Sequence, residues 1–256
     1  MQSVEPTSAQ QRVAQYATRL GDDALILGQR LCEWSSNAPT LEEDLALSNV
    51  ALDFLGRARM MYGYAAELQG TSEDELAFTR EERQYQNLLL VELPRGDFAF
   101  TMMRQLLLDV FEIRYFQALT HSADQRLAAI AGKSVKEVQY HCRRSRDWIR
   151  RLGLGTQESQ QRLQAATDEL WGYVDELFEM DELEQHLIGL GIAIDRGALE
   201  SEWRAEIEQL ARACNITLPD TPWQVSGGRQ GLHTEHMGHL LSELQYMQRA
   251  YPGLQW

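Results

Sequence analysis

Between residues 41 and 69 the apolar positions fall into two rows. Leu47, Val50, Phe54, Ala58, Met61, Ala65 and Leu68 recur every three or four residues, and Leu41, Leu45, Leu52 and Leu55 form a second row on roughly the opposite side. Spacing of three or four marks one face of an α-helix, so two apolar rows mean burial on two sides. Such a segment is either the central helix of a bundle or a helix whose second face meets a partner subunit. The stretch Phe98 to His121 differs. Leu106, Leu107, Leu108, Val110, Phe111, Ile113 and Phe116 cover most directions, which predicts a core helix. It nevertheless carries Asp109 and Glu112, three apart and therefore projecting from adjoining directions. Buried carboxylates need partners or a metal, and long helices with inward carboxylates point to an all-α, ferritin-like helical bundle with long antiparallel helices.

Proline and glycine punctuate the pattern. The prolines lie at 6, 39, 94, 219, 222 and 252, with none between Arg95 and Leu218. A stretch so free of proline and so rich in Leu, Ala, Glu, Gln and Arg favours helix, and period-two runs of Val, Ile and Thr are absent. The predicted helices are Ala9–Ser35, Leu41–Gly70 with Thr40 as N-cap and Glu43 three residues on, Glu73–Val91, Phe98–His121, Ala123–Leu152 and Gln157–Phe178. Short helical pieces then run to Cys214, Asn215–Gly231 is a surface loop, and extra C-terminal helix covers Leu232–Ala250. Residues 1–9 are expected to be a disordered tail and 10–256 a single ferritin-like helical domain.

Composition narrows the possible functions. With 44% hydrophobic and 24% charged residues the chain is globular. Its net charge of −14 repels phosphate and makes nucleic acid a poor partner. No apolar run approaches the roughly 18 residues a bilayer span requires, so no membrane is expected. The polar first residues lack an export pattern. The three cysteines, Cys32, Cys142 and Cys214, then suggest reduced thiols and a cytoplasmic location. No Cys-x-x-Cys is present, which excludes paired-cysteine zinc.

Carboxylate bundles hold two irons with a Glu-x-x-His pair from each of two helices, because residues three apart share a face. None of the six histidines, at 121, 141, 186, 233, 236 and 239, has an acid three positions earlier. Glu137–His141 and Glu182–His186 are four apart, which is also same-face spacing, and are read as hydrogen-bonded pairs rather than metal sites. Arg144 continues the first row as a charge partner for Glu137, and arginines across the bundle would neutralise Asp109 and Glu112. His233, His236 and His239 spread over about 120° of one helix and converge poorly. His236 falls on the row Leu232, His236, Leu240, Leu244, Met247, which suggests a satisfied core histidine. No nucleophile elbow and no phosphate loop occurs. Gly227-Gly228-Arg229-Gln230-Gly231, ahead of the last helix, is a turn that could alternatively bind an anion.

Five segments carry a more specific signal: TRLGDDALILGQRLCEW (Thr18–Trp34), DLALSNVALDFLGRAR (Asp44–Arg59), LAFTREERQYQNLLLVE (Leu76–Glu92), KEVQYHCRRSRDWIRRLG (Lys136–Gly153) and GLHTEHMGHLLSELQYMQRAYPG (Gly231–Gly253). Together they resemble the structural, iron-free subunits of bacterial ring-1,2-phenylacetyl-CoA epoxidases, over about Tyr16 to Trp256. The resemblance implies a ferritin-like chain that is not catalytic by itself and holds no cofactor of its own. It would pair with, and stabilise, a homologous catalytic subunit carrying the di-iron centre. Small oxygenase subunits and an iron–sulfur flavin reductase would complete the complex, which epoxidises the ring of phenylacetyl-CoA during aerobic phenylacetate degradation. The same resemblance maps substrate contacts onto Gln84, Tyr85, Gln86 and Asn87, and onto Gln185, His186 and Leu187. Two other readings stay open: a self-sufficient di-metal carboxylate oxidase using Asp109, Glu112, Glu137 and His141, and a stand-alone acyl-CoA-binding helical protein anchored at Arg229.

Overall fold

A computed structural model describes residues 8–220 and 223–254. Most of the expected tail, and Pro222 of the expected loop, lie outside the described residues. The architecture is all-α, of the ferritin-like type that the pattern predicts, with no strand among the described residues. By contacts the chain divides into two compact units, one of residues 1–94 and 227–256 and one of residues 95–226.

The first unit is built on a helical hairpin, α1 (Ser8–Cys32) and α2 (Leu41–Gln69). Turns over residues 33–37 end the first helix ahead of Pro39, and Thr40 starts the second by accepting the Glu43 N–H. Gly70 closes it in the left-handed conformation that a side chain would strain. One face of α2 is sealed: Leu47, Val50, Phe54, Ala58, Met61 and Ala65 are all buried. The other row is open, with Leu41, Leu45 and Leu52 exposed by 72%, 58% and 64%, while Leu55 is half-buried against Gly28 of α1.

The predicted helix over Glu73–Val91 is broken. α3 (Glu73–Phe78), capped by Ser72 in a reciprocal box with Glu75, gives way to a single 3-10 turn at Glu82–Gln84. An extended stretch and the one-turn α4 (Leu89–Glu92) follow. The cause lies on α1. The Asp22 carboxylate takes the Gln86 N–H at 2.8 Å and the Asp23 carboxylate takes the Leu88 N–H at 2.8 Å. These two donors are satisfied from outside, so the segment has no need to continue as a helix.

The second unit starts with the hairpin α5 (Phe98–Leu119) and α6 (Gln125–Gly153), capped by Asp97 and Asp124. α7 (Gln157–Leu170) stops short of the expected Phe178 and continues as two 3-10 turns, Trp171–Tyr173 and Asp175–Leu177. α8 (Glu182–Gly189) and α9 (Glu200–Ala213) follow. Trp203 of α9 is fully buried, and its ring N–H donates to the Leu107 carbonyl at 2.9 Å. Glu206 accepts from Arg114 at 2.7 Å and from Arg146, which ties α9 to both long helices.

The chain then returns to the first unit. The expected surface loop over Asn215–Gly231 is partly interior: Ile216, Gly228 and Arg229 are buried, and Gly228–Gln230 form a 3-10 turn. The last predicted helix begins late and breaks at Gln245, giving α10 (Glu235–Leu244) and α11 (Tyr246–Ala250). Its buried row is therefore Met237, Leu240 and Leu241, while Leu232 and Met247 are exposed and His236 is only half-buried. The core histidine is His233, whose side chain has 0% exposure.

Candidate functional site

Two polar centres lie inside the helices, one in each unit. In the first unit Asp22 is fully buried in the middle of α1. The Tyr62 hydroxyl donates to it at 2.6 Å, the Arg80 guanidinium pairs with it, and it takes the Gln86 N–H. Arg80 also stacks over the Tyr85 ring at 4.1 Å. Burial, with Asp22 beside it, pushes the Tyr62 phenol well above its usual range. Burial also pushes Tyr85 up to about 12. A Cβ on Gly21 would meet the Tyr62 ring at 2.6 Å, so only glycine lets that ring lie flat against α1.

The first predicted contact stretch is woven into this centre rather than lying on a helix. Gln84 caps its own turn by accepting the Glu81 N–H. Tyr85 is buried, donating to the Ala77 carbonyl and accepting from the Gln245 amide. The Gln86 side chain accepts from Gln15 and Arg19 and donates to the Arg229 carbonyl. Asn87 is buried and donates to Glu92. Of the four, Gln84 alone is exposed.

Arg229 is occupied as well. Its guanidinium is buried, pairs with Asp23 at 2.7 Å and donates to the Gln86 carbonyl at 2.6 Å. The turn it sits on is thus a tie between α1 and the C-terminal segment, and its charge is spent inside the protein rather than offered to an anion.

The second centre is on α5 and α6. Asp109 is 1% exposed, and burial pushes its carboxyl up to about 7 against the opposing pull of His141, Ser145 and Arg144. His141 and Cys142 are buried beside it, and burial together with Asp109 pushes the Cys142 thiol up to about 12. Glu137 pairs with Lys133 one turn earlier, at 3.8 Å, rather than resting on Arg144 alone. The leading opposite charge felt by Asp109 is His141, not an arginine. Among the described residues no group of three or more His, Cys, Asp or Glu side chains has an arrangement that could hold a metal ion. The second contact stretch lies on α8, in the same unit. Gln185 and His186 are exposed and Leu187 is buried. Asp181 caps the helix, and Glu184 anchors it through a buried pair with Arg196 at 3.0 Å.

Reading the sequence overlooked Asp22, Asp23 and Glu92. A signal was present: on a helical projection Leu25 and Ile26 fall on either side of Asp22, and Ile26 and Leu27 on either side of Asp23, so neither aspartate has a polar face to occupy. The partners of the two aspartates named above lie forty or more residues away and are not legible from spacing.

No helix among the described residues is long and apolar enough to cross a membrane, and the three cysteines are free. A cleft of about 390 Å³ opens between α1, α2 and α3, lined by Leu25, Leu55, Ala58, Tyr62, Ala77 and Phe78.

Comparison with known proteins agrees with the resemblance that the five segments carry. The family described as "Phenylacetic acid catabolic protein" matches residues 1–256. A relative in Escherichia coli (strain K12), a subunit of 1,2-phenylacetyl-CoA epoxidase, is 49% identical over 242 residues, covering 94% of this chain and 98% of its own. The chain belongs to the phenylacetic acid catabolic protein family.

Proposed function

We propose that this chain is the non-catalytic structural subunit of a phenylacetyl-CoA 1,2-epoxidase. It pairs with and stabilises a homologous di-iron catalytic subunit in phenylacetate degradation. The observation that carries this reading is the open leucine row of α2: Leu41, Leu45 and Leu52 stand exposed on a long helix whose opposite face is sealed. Three large apolar side chains in one row are what a permanent partner covers. The cleft beside Leu55 can receive a partner side chain at the end of that row.

None of the six histidines has an acid three positions earlier, the spacing with which a di-iron bundle presents its ligands, which supports assigning the metal to the partner. The partner's di-iron centre would supply the oxygen chemistry. This chain's contribution is to hold that subunit's helices and to complete the wall of the site that takes phenylacetyl-CoA. Of the seven contact residues implied by resemblance, Gln84, Gln185 and His186 are exposed and can reach a ligand directly. Tyr85, Gln86, Asn87 and Leu187 would act through the framework they hold. Small oxygenase subunits and an iron–sulfur flavin reductase complete the assembly.

Co-purification of the tagged chain with its catalytic partner tests the reading. Leu52→Glu should weaken pairing by at least about tenfold, because a carboxylate in a sealed apolar contact must be desolvated, while helix content and melting temperature of the isolated variant stay unchanged. Undiminished pairing would remove α2 from the interface. Metal analysis separates the alternative: close to two tightly held irons in the chain purified alone would make it a self-sufficient di-metal protein instead.

A further inference from the structure

His233 is set among groups that only accept hydrogen bonds. Its Nε2 lies 3.0 Å from the Tyr85 carbonyl oxygen and its Nδ1 lies 2.7 Å from Glu92 Oε2, with both side chains at 0% exposure. A carbonyl has no proton to give, so Nε2 carries a hydrogen. The Glu92 carboxylate is already ringed by donors. The Thr234 N–H and hydroxyl reach Oε1 at 2.6 and 2.8 Å, and the Asn87 amide reaches Oε2 at 2.9 Å. With Nδ1 added, four donors occupy the four lone-pair positions of an ionised carboxylate. Nδ1 therefore carries a hydrogen as well.

We propose that His233 is held as an imidazolium at neutral pH and that its second ring proton is a latch, fixing the C-terminal segment 227–254 onto the segment 82–94 and releasing it when the proton is lost. The surroundings fit this role. From α1, the Arg30 guanidinium donates to the Glu92 main-chain carbonyl at 2.9 and 2.8 Å and to the His236 carbonyl at 3.2 Å, bridging the same two segments. Also from α1, Asp23 takes the Leu88 N–H and pairs with Arg229. From the 3-10 turn Glu82 adds negative charge, and from α4 Glu92 adds the paired carboxylate. Burial by itself would push the imidazole down, but the hydrogen bond and charge of Glu92, with the Tyr85 carbonyl and Glu82, override it and hold the imidazole above its ordinary range.

The sign follows from linkage. A group whose pKa is raised on folding stabilises the fold fully below its unfolded value, about 6.5 for histidine. That contribution fades as pH climbs and is gone above the folded value. Deprotonation leaves Nδ1 facing a carboxylate with no hydrogen between them, a buried repulsion of two acceptors. The segment it frees carries Tyr246, Met247, Tyr251 and Leu254, all exposed.

The test is a pH titration of the full chain labelled with nitrogen-15 at histidine and followed by NMR from about pH 5 to pH 9.5. His233→Asn supplies the assignment, or through-bond correlation does if that variant fails to fold. Hydrogen exchange of residues 227–254, corrected for intrinsic rate, is measured over the same range with α5 as internal reference. The expected result is two protonated ring nitrogens on His233 at pH 7.5 and a midpoint above the ordinary histidine range. Exchange in 227–254 should then rise about tenfold relative to α5 across that midpoint. A singly protonated His233 at pH 7.5, a midpoint at or below 6.5, or protection of 227–254 that ignores the midpoint would each overturn the latch.

Discussion

Asp22 and Asp109 are both fully buried aspartates in the middle of long helices, and the fold treats them in opposite ways. Asp22 receives a phenol, a guanidinium and a backbone N–H. Around Asp109 the opposing influences of His141, Ser145 and Arg144 are outweighed by burial, and its carboxyl rises to about 7. The difference teaches what burial of a charge requires. Rigid donors aimed at a buried carboxylate offset the cost of its desolvation, and where burial outweighs them the carboxyl is pushed up toward its protonated form. Asp22 acquires its donors because the 80–88 segment wraps across α1. Asp109 sits between two regular helices whose own N–H groups are committed to their ladders.

The contrast can be broken most directly at Asp22. Asp22→Ala leaves Arg80 buried without its partner and frees the Gln86 N–H, so a loss of about 3–5 kcal/mol is expected by urea unfolding. A loss below about 1 kcal/mol would mean the donors find water instead. Gly21→Ala should cost about 2 kcal/mol, since the new methyl drives the Tyr62 ring off Asp22, and the phenol's ultraviolet titration should shift downward with it. At the other centre the sign reverses. The unfolded carboxyl ionises near about pH 4 and the folded one near 7, so between these values stability falls as pH rises. Asp109→Asn should therefore add about 1–2 kcal/mol at pH 8 and nothing at pH 4. A destabilised variant at pH 8 would show that the partners around Asp109 outweigh its burial after all. The smallest effect concerns Cys142. With its thiol pushed up to about 12, it should resist alkylation at pH 8 in native protein, while half-buried Cys32 reacts.

Much of the fold was legible from spacing. Thr40 and Gly70 bound α2 where a side-chain oxygen and a left-handed glycine dictate, and Pro39 falls where α1 has already ended. Such signals are local, with each residue acting on backbone within four positions of itself. The outer row of α2 was equally legible, because helical period alone places Leu41, Leu45 and Leu52 together. The segment from Thr79 to Leu88 was not. Its residues suit a helix, yet Asp22 and Asp23 take two of its N–H groups from about sixty positions away. His233 shows the same limit. Helical period pointed to His236 as the interior histidine, and the late start of α10 at Glu235 turned His233 inward instead.

By itself, then, the amino-acid sequence determined the all-α class, the approximate places of the long helices, the span and Thr40 cap of α2, its two-faced character and the absence of a Glu-x-x-His pair. Each of these follows from interactions between near neighbours or from counting. Only the tertiary structure decided which donors reach the buried acids, that Arg229 faces inward to Asp23, and that His233 bridges Glu92 and the Tyr85 carbonyl. Those outcomes depend on donors and acceptors brought together from distant parts of the chain, and the strength of each contact is set by how completely water is excluded from it.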